Sequence, residues 1–346
     1  MGIIGWLAPR FAAADIDPRD ALLKRILLVR ANFRMGNALL ALPAIAAFRK
    51  NFPEARIDFV GTPLSNLLFQ GQPLNYHYVA PRRFPQVLWE YPLLMRRLRA
   101  TRYDLAVEIS CSQSGVGSFI VGLSGARIRA GNAGRWDRLF NLTIGKLSED
   151  NKYRKLTEFL TALRLKHVET VGSLEFSPAE RIEALKQLES FSGKKSEKTA
   201  GVFVGGRKLR GKRWPMKNFA EVINGLHRRG IRVVTFLGPE EKGIADSLRA
   251  SIDSSVPVIF EPSARKFAAM IAHLDLLICC DSGPMHLACA AGACVVAIFR
   301  EKDVLHWSPP ASAARTVSAP NVVTASMVVQ AALDELALGK SAGVAV

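Results

Sequence analysis

The chain has 346 residues, of which 49% are hydrophobic and 22% charged, which is typical of a globular protein and excludes an intrinsically disordered one. This length favours two domains over one very large domain. The 47 lysines and arginines exceed the 30 acidic residues, so the formal net charge is +17 at pH 7. Such a charge favours anionic partners, whether nucleic acid, acidic lipid headgroups or phosphorylated substrates, without choosing among them.

No apolar stretch reaches the length of a transmembrane helix, and the first 17 residues lack the basic start of a signal peptide, so we expect neither feature. The five cysteines include no C-x-x-C pair, and four of them fall in one apolar segment. This pattern predicts small buried side chains in a reducing compartment. A metal site built from Cys280, His286 and Cys289 is the less favoured alternative.

The first half of the chain alternates short apolar runs with helical patterns. We predict strands at residues 25–30, 55–61, 103–110 and 125–131, and the last of these is expected to end the sheet of this half. We predict helices at residues 38–52, 93–100, 152–165 and 178–188, with another after the small-residue turn at 111–118. Pro43 either kinks the first helix or starts its main part. Residues 70–92, which contain several prolines and aromatic residues, fit neither pattern.

A polar segment at residues 189–201 is the predicted linker, and strands and helices alternate again after it. Strands are expected at residues 200–206, 231–238, 256–260, 274–280 and 294–299, and helices at 214–230, 239–251, 264–274, 286–292 and 326–339. The predicted domains are an N-terminal Rossmann-like domain at 1–190, a linker at 191–200, a second Rossmann-like domain at 201–320, and a helix and tail at 321–346. We expect ligands in a cleft between the two domains, at the carboxyl ends of strands.

The turn "DSGPMH" joins an apolar strand to a helix that Gly292 ends. Pro284 fits the first helical position and Gly283 the cap before it. The backbone N–H groups of Met285 and His286 are then expected to face a ligand, since the start of a helix favours an anion such as phosphate. The alternative is that the acid and the serine before this helix merely cap it; the residues concerned are Asp281 and Ser282.

The segment "FVGGRKLRGKRWP" follows the first strand of the second half. Gly205 and Gly206 allow a close approach of the backbone to a ligand. The loop after them is strongly basic, and it is either a solvated face or, beside the turn at 281–286, half of a diphosphate site. Its cationic residues are Arg207, Lys208, Arg210, Lys212 and Arg213. After the next strand, Glu241 either accepts hydrogen bonds from ribose hydroxyls or belongs to the first turn of a helix.

In the first half, Arg34, Gly36 and Asn37 lie at the predicted start of a helix that is expected to face the cleft. Gly36 allows close backbone approach, and Asn37 is an ordinary helix N-cap residue. Capping is the favoured interpretation of these residues taken alone.

Four segments together resemble glycosyltransferase family 9, the inverting heptosyltransferases of lipopolysaccharide core synthesis. They are "ILLVR…GNALLALPAIAAFRKNFPEARIDFV", "RYDLAVEI…LSGARIRAG", "KRWP" and "DSGPMHLACAAG". The resemblance implies an α/β protein of the GT-B fold, in which two Rossmann-like domains bind the acceptor and the nucleotide sugar. It also implies a metal-independent enzyme that uses an ADP-sugar as donor substrate and needs no cofactor.

The resemblance assigns roles to the residues at the strand ends. Residues 281–286 are expected to hold the donor diphosphate and sugar, Lys212 to contact phosphate, and Glu241 to reach the ribose. Members of the family commonly carry an aspartate, the presumed base, where this chain has Asn37, and an amide cannot accept a proton as a carboxylate does. Glu108 is the alternative base. The donor-side residues are Gly205, Gly206, Arg207, Lys212, Glu241, Asp281, Ser282, Gly283, Met285 and His286.

The resemblance also predicts the partners of the protein. They are a nucleotide-sugar donor, a lipid-linked oligosaccharide acceptor and the anionic inner face of the cytoplasmic membrane, where a basic cytoplasmic protein binds peripherally. One alternative is a nucleotide-sugar-binding protein that has lost or altered transfer because of Asn37. A nucleic-acid-binding protein is the other, although the basic residues are not interleaved with stacking aromatics.

Overall fold

The structure is a computed structural model that describes residues 23–111, 114–192, 198–206 and 213–338. The chain divides into two compact units, with the boundary between Gly172 and Ser173. Each unit contains one six-stranded parallel sheet with helices. The predicted fold class, α/β with two Rossmann-like domains, is therefore confirmed.

The first unit alternates strands and helices from its first described element onwards. Its strands are β1 (Arg25–Val29), β2 (Arg56–Gly61), β3 (Tyr76–Val79), β4 (Leu105–Glu108), β5 (Ile128–Asn132) and β6 (Leu142–Ile144). Its helices are α1 (Met35–Leu39), α2 (Leu42–Asn51), α3 (Pro63–Leu68), α4 (Val87–Thr101), α5 (Gly115–Leu123) and α6 (Lys152–Ala162). A 3₁₀ turn spans Asp137–Leu139.

The first sheet has the strand order β3-β2-β1-β4-β5-β6, with every pair parallel. Helices cover both faces of such a sheet, so its central strands are buried on both sides and read as continuous apolar runs. Ile26 and Leu27, neighbours on β1 that face opposite sides of the sheet, are both fully buried. The strand order reverses between β1 and β4, and in folds of this kind ligands bind outside the carboxyl ends of the strands at that point.

The second unit begins with a helix and then repeats the same alternation. Its strands are β7 (Thr199–Phe203), β8 (Arg232–Leu237), β9 (Val258–Phe260), β10 (Leu276–Cys280), β11 (Cys294–Ile298) and β12 (Arg315–Val317). Its helices are α7 (Pro178–Ser192), α8 (Met216–His227), α9 (Ala245–Arg249), α10 (Ala264–Ile271), α11 (Gly283–Ala290), α12 (Glu301–Trp307) and α13 (Ala325–Leu338). A 3₁₀ turn, Pro239–Ile244, precedes α9.

The second sheet has the order β12-β11-β10-β7-β8-β9 and is also entirely parallel. On one of its faces, the central strands pack against α8 and α13 in a continuous apolar cluster. Trp214 anchors the start of α8, because its indole N–H donates to the carbonyl of Val323 at 3.0 Å and its ring packs edge-on against Phe219. The strand order reverses between β7 and β10, which makes their carboxyl ends the expected ligand site of this unit.

The structure corrects several sequence predictions. The run at 125–131 is not the last strand of the first unit, since β6 follows it. The unassigned residues 70–92 contain β3 and the start of α4, which runs through Pro92. These elements escaped prediction because β6 is only three residues long and because proline usually interrupts a helix. In α4, packing of the buried Leu94 and Leu98 against the core of the sheet stabilises the helix beyond its proline.

The predicted linker at 191–200 does not coincide with the boundary that the structure has between residues 172 and 173. The difference arises because α7 packs against α10 and therefore belongs to the second unit. Arg265 of α10 donates from Nε to Oε1 of Glu180 at 2.8 Å and from Nη2 to the carbonyl oxygen of Glu175 at 2.6 Å. The polar segment that the sequence offered as a linker lies after α7. The contacts of α7 with α10 place the boundary between the two units before α7.

No helix in the described part of the chain combines the length and the apolarity needed to cross a membrane.

The ion pair between Glu180 and Arg265 predicts a pH-dependent contribution to stability. Hydrogen bonds from Arg265 and Ser177 lower the pKa of Glu180 from 4.5 to about 2. The carboxylate therefore stabilises the fold fully above pH 4.5, and this contribution disappears as the pH falls toward 2. We expect Glu180→Gln to lower the free energy of unfolding of the second unit by about 2 kcal/mol at pH 7, and the difference from the wild type to shrink below pH 4.5.

Urea unfolding from pH 2 to pH 7 measures this difference. The matched control is Glu183→Gln, an exposed acid on the same helix, which should leave stability nearly unchanged. If Glu180→Gln and Glu183→Gln unfold alike at pH 7, α7 is not held to α10 by this pair.

Candidate active site

Three loops of the second unit meet at the carboxyl edge of its sheet, because β8, β7 and β10 are neighbours and run parallel. The loop after β7 starts with Gly205 and Gly206, and the loop after β8 contains Glu241. The turn after β10 contains Asp281 and His286. Parallel pairing thus brings together residues that are up to 81 positions apart in the chain.

Glu241 is buried beside Gly205, which follows β7. Its Oε1 accepts a hydrogen bond from Nη2 of Arg213 at 2.9 Å, and its carboxylate lies against Gly205 and Gly238. A Cβ atom at position 205 would come within 2.8 Å of the Glu241 carboxyl carbon and 2.5 Å of the Phe203 ring, so only glycine fits there. Gly205 therefore makes room for the Glu241 carboxylate. The sequence analysis had predicted only that Gly205 lets the backbone approach a ligand.

Arg213 also lies near the end of β10, where its charge lowers the pKa of Cys280 against the larger effect of burial, which raises it to about 12. The guanidinium is thus paired with the loop after β8 and lies within electrostatic reach of the last residue of β10. Sequence reasoning treated Arg213 only as part of a basic run. The signal that could have identified it is its position beside Trp214, the anchor of α8, which holds this arginine at the sheet edge.

The turn from Asp281 to His286 begins α11 one residue earlier than predicted. The N-cap is Ser282 rather than Gly283, and Pro284 lies within the first two helical positions. The Ser282 hydroxyl donates to the carbonyl of Cys280 at 3.1 Å instead of capping the helix. The prediction that Met285 presents a free N–H is wrong, because this group donates to the Ser282 carbonyl at 3.2 Å.

Asp281 and His286 are both buried at this turn. The backbone N–H of Asp281 donates to the carbonyl of Ile298, which continues the ladder between β10 and β11 by one residue. The imidazole of His286 lies edge-on to the indole of Trp307 on α12, with ring centroids 6.2 Å apart. The loop after β11 therefore supports the turn through Trp307, which sequence reasoning did not identify. Gly292 ends the helix with φ of 78°, as predicted.

In the first unit, Glu108 ends β4 at the reversal of strand order and is fully buried. Its Oε1 accepts hydrogen bonds from the backbone N–H and the hydroxyl of Ser110. Burial raises the pKa of Glu108 to about 7, although Ser110 and the nearby Arg30 act in the opposite direction. Among the described residues, the Oε2 atom has no hydrogen-bond partner.

Arg30 follows β1 and lies beside Glu108. Its Nη1 donates to the carbonyl of Ile109 at 2.5 Å, and burial lowers its pKa while Cys111 and Glu108 raise it. Lys152, at the start of α6, has its pKa lowered by burial and then by the neighbouring charge of Lys155. Arg30 is therefore the cation beside the buried acid, and Lys152 lies near Arg30 and Cys111. Arg30 was not predicted as a site residue. The sequence feature that could have identified it is a basic residue at the end of an apolar strand.

Asn37 is half-buried in the middle of α1 and is not the N-cap, which is Arg34. The predicted cap is therefore wrong, because the helix starts at Met35 and includes Gly36. Within the described residues, the Asn37 side chain makes no hydrogen bond. Its amide is available to a ligand, and no cap bond accounts for an asparagine at this position.

The remaining predicted residues of the basic loop, Arg207 and Lys212, lie outside the described residues. Cys111, Cys279, Cys280 and Cys289 are buried as predicted, and Cys294 is half-buried. Across the described ranges, no group of three or more His, Cys, Asp or Glu side chains is placed to hold a metal ion.

Comparison with known proteins identifies the class. The family described as "Glycosyltransferase family 9 (heptosyltransferase)" matches residues 93–336. The chain is 23% identical over 288 residues to lipopolysaccharide heptosyltransferase 3 of Escherichia coli, covering 79% of this chain and 83% of that protein. The structure matches the family 9 glycosyl transferase of Veillonella parvula with a TM-score of 0.81 and 19% identity, covering 94% and 99% of the two chains. It matches the ADP-heptose lipopolysaccharide heptosyltransferase II of E. coli with a TM-score of 0.75 and 20% identity, covering 91% and 99%.

The family match spans more than half of the chain, so this protein belongs to glycosyltransferase family 9. It is a glycosyltransferase with the GT-B fold, as the sequence analysis predicted.

The raised pKa of Glu108 predicts a second pH dependence, of opposite sign to that of Glu180. A carboxyl with a higher pKa in the folded state binds a proton on folding between pH 4.5 and about 7, so it reduces stability as the pH rises through this window. Glu108→Gln has no such group. We therefore expect the free energy of unfolding of the variant to increase relative to that of the wild type between pH 4.5 and pH 8.

Urea unfolding at a series of pH values measures the trend. Glu54→Gln, an exposed acid in the same unit, is the control and should run parallel to the wild type. A constant difference between Glu108→Gln and wild type from pH 4.5 to 8 would show that Glu108 ionises as an ordinary carboxyl.

Proposed function

We propose that this protein moves a heptose, or a closely related sugar, from an ADP-sugar to a lipopolysaccharide core acceptor, with inversion at the anomeric carbon. Membership of family 9 supports the transfer of a sugar from an activated donor. The relatives, which include an ADP-heptose lipopolysaccharide heptosyltransferase, support the donor and the acceptor.

The observation that carries the proposal is the convergence of three loops at the carboxyl edge of the second sheet. In the proposed complex, the diphosphate lies at the start of α11, where the helix dipole and backbone favour negative charge. The ribose lies against Glu241, whose Oε1 is held by Arg213 while Oε2 faces Gly238. The sugar then extends toward Asp281 and His286.

The reaction breaks the bond between the anomeric carbon and the diphosphate, so negative charge grows on the departing ADP. Positive groups placed before the reaction starts stabilise this charge better than water does, because they need no reorganisation. In our proposal these groups are the start of α11, Lys212 and the arginines of the basic loop. The one D-x-D triplet of the chain, at residues 15–17, precedes the first predicted strand and does not follow a strand of the nucleotide-binding half, so we propose stabilisation by the protein's own cations.

The acceptor hydroxyl must lose its proton as the new carbon–oxygen bond forms on the opposite face of the sugar. Asn37 cannot take this proton, since a neutral amide is not a base at this pH. We propose that Asn37 orients the acceptor and that Glu108 is the alternative base, because its pKa of about 7 suits proton transfer near neutrality. Because Glu108 is completely buried, this role requires a local rearrangement that brings the acceptor to its Oε2 atom.

A second function, donor binding without transfer, is favoured by one observation: the amide at position 37. We propose peripheral association with an anionic membrane surface for either function, since the net charge is +17 and the acceptors of the named relatives are lipopolysaccharides.

ADP release from ADP-heptose, with and without a truncated lipopolysaccharide acceptor, tests the proposed reaction. We expect acceptor-dependent release by the wild type and a loss of about 100-fold in kcat for Glu108→Gln, because general bases contribute roughly this factor or more. Asn37→Asp should release ADP at least as fast as the wild type.

Each outcome separates the alternatives. Release only by Asn37→Asp would mean that the donor site is intact while transfer has been lost. Unchanged turnover in Glu108→Gln would remove Glu108 from the role of base. If neither the wild type nor Asn37→Asp releases ADP, the assigned donor or acceptor is wrong.

Donor binding gives a separate prediction for Glu241. Removing its charge weakens hydrogen bonds to ribose hydroxyls and frees Arg213, so Glu241→Gln should weaken ADP binding about tenfold in calorimetry. The matched control is Glu240→Gln, since Glu240 is the adjacent acid and is exposed. Equal affinities of the two variants would contradict contact between Glu241 and the nucleotide.

A further inference from the structure

The segment from β3 to the first turns of α4 carries an unusual concentration of exposed apolar side chains. Six of the fifteen large apolar residues that are exposed in the described part of the chain fall within residues 76–93. Phe84 is 78% exposed, Leu88 63% and Trp89 56%. Single exposed apolar residues need no explanation, but a cluster of this kind marks a binding surface.

The spacing of residues on α4 separates two faces. Leu94 and Leu98 lie four positions apart and are buried against the sheet, together with the partly buried Tyr91 and Met95. The exposed pairs recur at the same interval: Leu88 with Trp89, Pro92 with Leu93, and Arg96 with Arg97. The outer face is therefore apolar over its first two turns and basic over the next.

The charges around this face are almost all positive. Residues 82–102 contain six arginines and a single acid, Glu90, which is half-buried and lines a cavity together with Leu93 and Arg97. Arg82 and Arg83 precede the apolar residues, and Arg96 and Arg97 follow them. An apolar centre with arginines at both ends is complementary to a lipid surface with anionic headgroups, into which aromatic and aliphatic side chains insert while arginines contact phosphates.

The apolar surface continues from the helix onto the edge strand β3. A cavity of about 830 Å³ lies between them, and it is lined by Leu93 and Arg97 of α4 and by Tyr76 and Val79 of β3. Tyr76 and Val79 are themselves exposed. The surface is therefore broader than one helix, and the tyrosine adds a side chain with an apolar ring and a polar tip, which suits a membrane interface.

We propose that the outer face of α4 with Leu88, Trp89 and Leu93, together with the preceding Phe84 and the flanking arginines, docks the protein on an anionic lipid bilayer. This docking proposal extends the proposed function. It rests on the proposed function only in assuming that the acceptor is located at a membrane. Docking by this face holds the first unit at the membrane surface. The proposed donor-binding loops belong to the second unit, so they do not take part in docking. The other possible occupants are a second copy of the chain and another protein.

Co-sedimentation of the full chain with phosphatidylcholine vesicles, with and without phosphatidylglycerol, tests the proposal. We expect binding that requires phosphatidylglycerol and weakens with added salt. The double substitution Leu88→Glu with Trp89→Glu should weaken binding about tenfold or more, because it removes two apolar side chains that insert into the bilayer and adds repulsive charge. Arg96→Gln with Arg97→Gln should weaken it chiefly at low salt.

Matched controls are available in the second unit. Ile182 is 56% exposed, as Trp89 is, so Ile182→Glu should bind vesicles as the wild type does. Arg228→Gln with Arg229→Gln removes two adjacent exposed arginines near the end of α8 and should have little effect. Equal weakening by the control pair would show that net charge rather than this face mediates binding, and would overturn the proposal.

A second measurement avoids any dependence on how well the glutamate variants fold. Leu88→Cys and Ile182→Cys, each in a Cys294→Ser background, accept an environment-sensitive fluorophore, since the other four cysteines are buried. Emission from position 88 should shift to shorter wavelength on phosphatidylglycerol vesicles, whereas emission from position 182 should not. A lack of shift at position 88 would overturn the proposal. So would a wild-type protein that does not bind vesicles but forms a concentration-dependent dimer, if Leu88→Glu with Trp89→Glu abolishes that dimer.

Turnover on a soluble, deacylated acceptor separates the two proposals. The variant with Leu88→Glu and Trp89→Glu should keep wild-type turnover in the absence of vesicles, because neither residue belongs to the candidate active site. Absence of turnover in the wild type would refute the proposed reaction while leaving vesicle binding as an independent result.

Discussion

Parallel pairing on both sides of the first strand is the constraint on which each half of this protein depends. β1 pairs with β2 and β4, and β7 pairs with β8 and β10. A strand that is hydrogen-bonded on both edges and covered on both faces has no exposed backbone along its length, so its apolar residues are fully buried. The chain then leaves in opposite directions on either side of that strand, and the carboxyl ends remain open to a ligand.

Polar groups at those ends depend on the buried framework around them. Glu241 is held by Arg213, and Glu108 lies beside Arg30, in surroundings where charge interacts more strongly than in water. The two acids differ in consequence. Glu241 is paired with a guanidinium in a direct ion pair, whereas Glu108 accepts hydrogen bonds from Ser110 and burial raises its pKa to about 7. The two acids also differ in position, since Glu108 is the last residue of β4 whereas Glu241 lies in the 3₁₀ turn after β8.

The helix α4 shows how one element can serve both the fold and the surface. Leu94 and Leu98 bury its inner face, and this packing is strong enough to hold a helix that includes Pro92. On its outer face Leu88, Trp89 and Leu93 are exposed, so the core does not account for these apolar residues. We therefore assign them, with the neighbouring arginines, to binding.

The sequence by itself determined the alternation of strands and helices, the fold class and the family, because buried parallel strands have to be apolar and the "DSGPMH" turn has a distinctive spacing. It also located Glu241 and Asp281 at strand ends. Short or half-buried elements such as β3 and β6 were missed, since three or four residues give too little periodicity to be distinguished from a loop. The sequence could not show that Asn37 is not a helix cap, because the start of a helix depends on where the preceding strand directs the chain.

Only the tertiary structure decided which residues act together. Arg213 meets Glu241 across 28 positions of sequence, and the ion pair of Arg265 with Glu180 assigns α7 to the second unit across 85 positions. Such pairs carry no local signal, because each partner alone resembles a solvated surface charge. The pKa of Glu108 is a tertiary property for the same reason, since burial by the surrounding helices and strands, not neighbouring residues in the chain, disfavours its charged form.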